Sequence, residues 1–150
     1  MENNWGKHIW IFLHNFANKI DNNFFCNNRE LVLNTIKLIS ISLPCYLCSD
    51  HAKIKLNNYN FNTINDKNDL KKFLYDFHNH INKKLNKKIY DLSVLNQYDN
   101  CNFNISCNNY FKIIKMHNDT NNNPKLMLHK FHNKGNLNNI KSNIKKIFYN

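Results

Sequence analysis

The chain has 150 residues, enough for one domain with its own hydrophobic core and too few for two comfortable ones. Its net charge of +11 suits an acidic partner. Yet Arg29 is the only arginine, so the forked side chain best suited to phosphates and bases is almost absent, and specific nucleic-acid binding is not expected. Lys, Asn and Ile are favoured together by AT-rich coding, which explains much of the basicity as a solvated surface. No apolar run approaches the roughly 18 to 20 residues of a spanning helix, and the polar start around Trp5 shows no signal peptide. Neither a signal peptide nor a membrane anchor is expected.

From Trp5 to Ile20 the apolar residues Trp5, Ile9, Leu13, Phe16 and Ile20 recur three or four apart and predict a first helix. Gly6, Lys7, Trp10 and His14 form a second series on another face of that helix. Arg29 to Ile41 repeats the pattern through Val32, Ile36 and Ile39, and Leu43-Pro44 ends it, because proline disfavours helix at the preceding residue. Pro44 then suits the first turn of a third helix reaching Leu56, with Cys45 and Cys48 in that turn.

Asn57 to Asn68 reads as a loop, with Asp66 or Asn68 capping a fourth helix whose stripe is Leu70, Phe73, Phe77, Ile81 and Leu85. Beyond Tyr90 the pattern fades. Ser93 to Tyr98 suits a short helix, Asn100 to Asn109 and His117 to Asn123 suit loops, and Pro124 to His132 and Ile140 to Tyr149 suit two helices separated by Gly135. The expected architecture is all-α, a four-helix bundle over residues 1–91 with a C-terminal extension over 92–150.

Three constellations carry chemistry. In Leu-Pro-Cys45-Tyr-Leu-Cys48, two sulfurs three apart at a starting helix can close a disulfide, and the helix N-terminus favours a thiolate there. The same cysteines with His51, and Cys101 or Cys107 as a fourth ligand, also have spacing that zinc can use. In His78-Asn79-His80-Ile81-Asn82, an imidazole and two amides share one side of a helix and can meet a flat polar ligand, with Lys84 and Lys87 supplying charge for phosphates. Trp10 and His14, one turn apart, can wall a pocket for an aromatic cofactor. Each segment alone also fits a plainer role, as buried cysteines, a solvated helix face or a core margin.

Together and in this order, Trp-Gly-Lys-x-x-Trp-x-x-Leu-His, Leu-Pro-Cys-x-x-Cys followed by His51, and His-Asn-x-Ile-Asn-x-x-Leu resemble the Erv/ALR family of FAD-dependent sulfhydryl oxidases. The resemblance spans Trp5 to about Asp91 and is close to short viral members. It implies a four-helix bundle holding FAD noncovalently, as a homodimer. Carried over by position, Cys48 lies against the flavin and Cys45 is the interchange cysteine met by substrate thiols. Gly6, Lys7, Trp10, His14, His51, His78, Asn79, Asn82, Lys84, Leu85, Lys87 and Tyr90 are implied cofactor contacts. The implied substrates are protein dithiols, with a thioredoxin-like carrier as one such partner and oxygen as final acceptor. A viral source implies the host cytoplasm or the virion.

Three departures accompany it. Asn18-Lys19-Ile20 lacks the tyrosine the family often has after its first motif, Asn86 stands where glycine is usual, and Asp91-Leu92-Ser93 lacks the start of a second cysteine pair. Cys101 and Cys107, in a stretch expected to be a polar loop, are therefore read as either a mobile shuttle pair or part of a structural disulfide that can involve Cys26. The competing reading from another class is a zinc-stabilised basic module that binds nucleic acid.

Overall fold

The computed structural model describes residues 4–118 and 123–149. All regular elements among them are helical. In chain order they are α1 (Trp5–Lys19), α2 (Asn22–Asn27), α3 (Arg29–Ile41), α4 (Tyr46–Asn57), a 3-10 turn (Phe61–Thr63), α5 (Lys67–Lys84), a second 3-10 stretch (Leu92–Tyr98), α6 (Phe103–Asn118) and α7 (Pro124–Phe148).

The helical spacing of α1 turns Ile9, Phe12, Leu13 and Phe16 inward, all at 2% exposure or less. Each such fully buried side chain contributes about 1.5 to 3 kcal/mol. Helix α3 adds Val32, Ile36 and Ile39, and α5 adds Leu70, Phe73, Leu74 and Phe77. Packing runs between α1 and α5 and between α3 and α4. Asp66 caps α5 by accepting from the Asp69 amide at 2.8 Å. The lone arginine is structural: Arg29 donates to the carbonyls of Ile64, at 2.6 Å, and Phe61, tying the start of α3 to the turn before α5.

The C-terminal helices join the same core. Helix α6 lies along α1, where Tyr110 stacks on Phe12 at 4.5 Å and Asn15 donates to Ser106 Oγ at 2.9 Å. Helix α7 lies along α3, with Asn143 donating to Thr35 Oγ1 at 3.0 Å, and buries Ile140, Ile144 and Ile147.

Four details differ from the sequence reading. Pro44 stands before α4, not in its first turn, because Cys45 takes the cap position with an extended backbone (φ −91°, ψ 115°). A short helix, α2, fills the stretch after Ile20. Asp21 accepts from the Phe24 amide at 2.8 Å and Phe25 is fully buried, a capped helix of six residues, too short for a periodic signal. The expected loop Asn100–Asn109 is helical from Phe103, because Cys107, Tyr110 and Ile114 bury one face of α6 against the bundle. Finally, Gly135 does not separate two helices. A glycine costs a helix only about 1 kcal/mol relative to alanine, less than the apolar face of α7 contributes on burial. The expected loop His117–Asn123 falls in part on residues 119–122, outside the described residues.

Candidate functional site

The Cys45–Cys48 turn is built by its backbone. Cys45 caps α4, its sulfur accepts from the Cys48 amide at 3.2 Å, and the two cysteines form a disulfide with Cα atoms 5.2 Å apart. Both are partly exposed, and the intervening Tyr46 and Leu47 face solvent. Ser49, fully buried just after Cys48, reaches back to Leu43, accepting from its amide at 3.1 Å and donating to its carbonyl at 3.3 Å. The Pro-Cys-x-x-Cys segment is therefore pinned at both ends. A sulfur at the positive end of a helix is also where a thiolate is best stabilised.

The second group lies between α1 and α5. Trp10 stacks flat on His78, with centroids 4.1 Å apart and planes 9° from parallel, and meets Phe77 edge-on at 5.5 Å. His14 Nε2 and His78 Nδ1 are hydrogen-bonded at 3.0 Å. Burial, then the charge of its partner, lowers the His14 pKa to about 3, and burial followed by Lys87 lowers that of His78 to about 4, so both rings are neutral at pH 7. Asn82 is 5% exposed on the same helix.

Not every implied contact is free for a ligand. Asn79 grips Tyr90 by both backbone groups, accepting at 3.0 Å and donating at 2.9 Å, and Tyr75 adds a third bond to the same carbonyl at 2.8 Å. In this structure Asn79 therefore holds the Tyr90 loop. Gly6 and Lys7 lie in the first turn of α1, with Lys7 exposed. His51, Lys84, Leu85 and Lys87 are exposed. The departure at Asn86 has a physical reading. Asn86 has φ 53° and ends α5 in a left-handed turn closed by Lys87 N–H to Asn82 O at 2.8 Å. Glycine is the default there, and asparagine is among the side chains that tolerate it best.

The donor set fits FAD. Flat parallel rings suit stacking, His14 Nδ1 is buried without a hydrogen-bond partner among the described residues, and exposed Lys83, Lys84, Lys87 and Lys88 cluster at the end of α5 for phosphates. The zinc arrangement does not assemble. Cys45 and Cys48 are joined to each other, and among the described residues no three His, Cys, Asp or Glu side chains are grouped to hold a metal ion. Cys101 and Cys107 are free thiols, and Cys107 points inward from α6 with burial pushing its pKa up to about 11.

Residues 7–100 match the profile of the Erv1 / Alr family. The chain belongs to that family. Among relatives of this Erv1 / Alr protein, a candidate FAD-linked sulfhydryl oxidase of Invertebrate iridescent virus 3 is 32% identical over 84 residues, 55% of this chain and 57% of the relative. The chain thus spans little more than half of that relative's length. An FAD-linked sulfhydryl oxidase of African swine fever virus, Tick/Malawi isolate, is 33% identical over 101 residues, 61% of this chain and 84% of the relative. That of the Pig/Kenya isolate is 34% identical over 85 residues, 57% and 71% respectively. No solved structure matches the chain.

Two contributions to the site escaped the sequence reading. Tyr98 is buried and stacks on His14 at 4.9 Å, with Asn18 donating to its carbonyl at 3.0 Å. Its signal was an aromatic residue in the short helix after Asp91. His129 and Asn133 of α7 both reach the Leu43 carbonyl beside the Cys45–Cys48 turn. They are four apart on one helix face, but no periodicity identifies a backbone carbonyl as their target.

Proposed function

We propose that the chain is an FAD-dependent sulfhydryl oxidase that converts protein dithiols to disulfides and delivers the electrons to oxygen, giving hydrogen peroxide. The observation that carries this reading is the partly exposed Cys45–Cys48 disulfide at the N-terminus of α4. A substrate thiolate attacks Cys45 Sγ, the Cys45–Cys48 bond breaks, and Cys48 leaves as a thiolate stabilised by the helix terminus. The second substrate thiol, as thiolate, attacks the mixed disulfide and releases the oxidised substrate and Cys45. Two thiol protons go to solvent or to the cysteines. When bound, FAD supplies a two-electron acceptor for the reduced pair and the onward route to oxygen.

Of this chain's residues, Trp10, His14, His78 and Asn82 hold the rings of the cofactor, Lys84 and Lys87 its phosphates, and Gly6, Lys7, His51, Leu85 and Tyr90 border it. Asn79 acts through Tyr90. The neutral histidines stack and accept or donate hydrogen bonds without bringing a buried charge. The family resemblance supports two finer parts of the reading, a homodimer and a thioredoxin-like carrier among the dithiol partners. No helix of the described residues is long and apolar enough to cross a membrane, and the relatives are viral, which supports action in the host cytoplasm or the virion.

The purified protein is expected to be yellow and to release flavin on denaturation. Cys48→Ser should keep the flavin and lose dithiothreitol turnover. Cys45→Ser should also be inactive and show a long-wavelength charge-transfer band from the Cys48 thiolate. A colourless protein, or wild-type turnover in both variants, overturns the reading.

A further inference from the structure

The turn that carries the disulfide is held from a helix beyond the part of the chain that matches the family. Leu43, two residues before Cys45, has its carbonyl oxygen met by His129 Nε2 at 2.7 Å and by Asn133 Nδ2 at 3.0 Å. A carbonyl has two lone pairs, and these two donors occupy them, leaving the Ser49 hydroxyl at 3.3 Å as the weakest of the three contacts. The 3.2 Å approach of Asn133 Nδ2 to His129 Nε2 is a by-product of this convergence: with its proton directed at Leu43, that nitrogen has no lone pair to accept with. Asn133 is 2% exposed, so its amide is committed to this contact rather than shared with water. Pro44 follows, with φ restricted by its ring and no N–H of its own. Held at Leu43 on one side and by Ser49 on the other, the backbone between them has little freedom.

We propose that His129 and Asn133 are positioning residues that fix the Leu43 carbonyl and thereby hold the Cys45–Cys48 turn in its disulfide-forming geometry. They touch neither sulfur. Their effect is on the equilibrium between dithiol and disulfide, in which the turn plus oxidised glutathione gives the closed disulfide plus two reduced glutathiones. Closing the bond orders the chain, and a turn that is already ordered loses less entropy on closure. Releasing the clamp frees the reduced turn to sample other conformations and lowers the effective concentration of one thiol at the other. The disulfide then becomes easier to reduce. The proposal deepens the oxidase reading and rests on it for any bearing on turnover.

The test uses the full-length protein, equilibrated without oxygen in glutathione buffers, then alkylated so that the Cys45–Cys48 peptide is read by mass spectrometry. His129→Leu and Asn133→Leu should each favour the dithiol by about threefold to tenfold, tenfold being about 30 mV. His129→Gln retains a donor and should restore most of the wild-type value. Ile144→Val, in the buried apolar face of α7 and away from Leu43 in the chain, should lower the melting temperature without moving the equilibrium. His129 is only half-buried, so its variant serves as the test if Asn133→Leu does not fold. A folded His129→Leu protein with the wild-type equilibrium, or an equal shift in Ile144→Val, overturns the proposal. A colourless protein that still shows the His129→Leu shift would remove the oxidase reading and leave the clamp standing.

Discussion

Cys45 with Cys48 and Cys101 with Cys107 are both short-spaced cysteine pairs, and the fold treats them oppositely. The first pair begins a helix, where both cysteines are partly exposed and the Cys48 amide donates to the Cys45 sulfur. The second straddles a helix start. Cys101 stays in the preceding turn, its sulfur 3.4 Å from the Gln97 carbonyl, whereas Cys107 lies more than a turn into α6 and faces the core. Thiolate character, which disulfide exchange requires, is favoured by a helix N-terminus and suppressed by burial at Cys107. Spacing alone therefore says little about redox function; the position of each cysteine along its helix decides it. The same division runs through the molecule. Helices α1, α4 and α5 carry the Cys45–Cys48 turn and the ring cluster, while α6 and α7 pack against α1 and α3.

The largest test of that division strikes the ring cluster. His78→Ala combined with Asn82→Ala removes the face on which Trp10 stacks and a buried amide. At about 1 to 3 kcal/mol for each lost contact, FAD should bind at least tenfold more weakly, read as flavin lost on extensive dialysis. Full retention of flavin would place the cofactor elsewhere and break the contrast between a catalytic inner part and a supporting outer one.

How much of this was legible follows from the range of each signal. Helix α3 was bounded correctly at Arg29 and Ile41, because Val32, Ile36 and Ile39 repeat cleanly and Pro44 marks the end. Trp10, His14 and His78 were picked out by type and spacing, and the fold brings them into one cluster. The stretch from Asn100 to Asn109 was not legible. Its asparagines resemble a loop, and the packing that accompanies its helix, Phe103 on Phe12 and Phe148 and Ser106 on Asn15, is long-range. The role of Asn79 in gripping Tyr90 was also hidden, since an amide's partner depends on where the chain returns after Asn86.

A smaller test addresses the second pair directly. In the native protein a maleimide should label Cys26 and Cys101 and leave Cys107 unmodified until the chain unfolds, as its burial requires. Cys101→Ser with Cys107→Ser should lower stability by about 1 to 3 kcal/mol, because a hydroxyl replaces a buried thiol, and should change turnover of dithiothreitol and of a folded protein substrate to the same degree. Selective loss on the folded substrate would show these cysteines relaying electrons and would put the two pairs on the same footing.

The smallest effect is expected at Gly135, which tests whether α7 is one continuous support. The sequence places a glycine where two helical stretches meet, and the structure runs a single helix from Pro124 to Phe148 through it. Glycine is poor at this position because the unfolded chain has more freedom to lose, not because the folded helix needs its lack of a side chain. A Cβ built there meets nothing within 4 Å, and the residue is exposed. Gly135→Ala should therefore stabilise the protein by about 1 kcal/mol and raise the melting temperature by about 2 to 4 °C. It should leave dithiothreitol turnover and the Cys45–Cys48 equilibrium unchanged, since Gly135 touches neither the redox turn nor the ring cluster. A lower melting temperature would mean that the helix is broken at residue 135 in solution, and that His129 and Asn133 belong to a separate segment that needs its own reason to stay against Leu43.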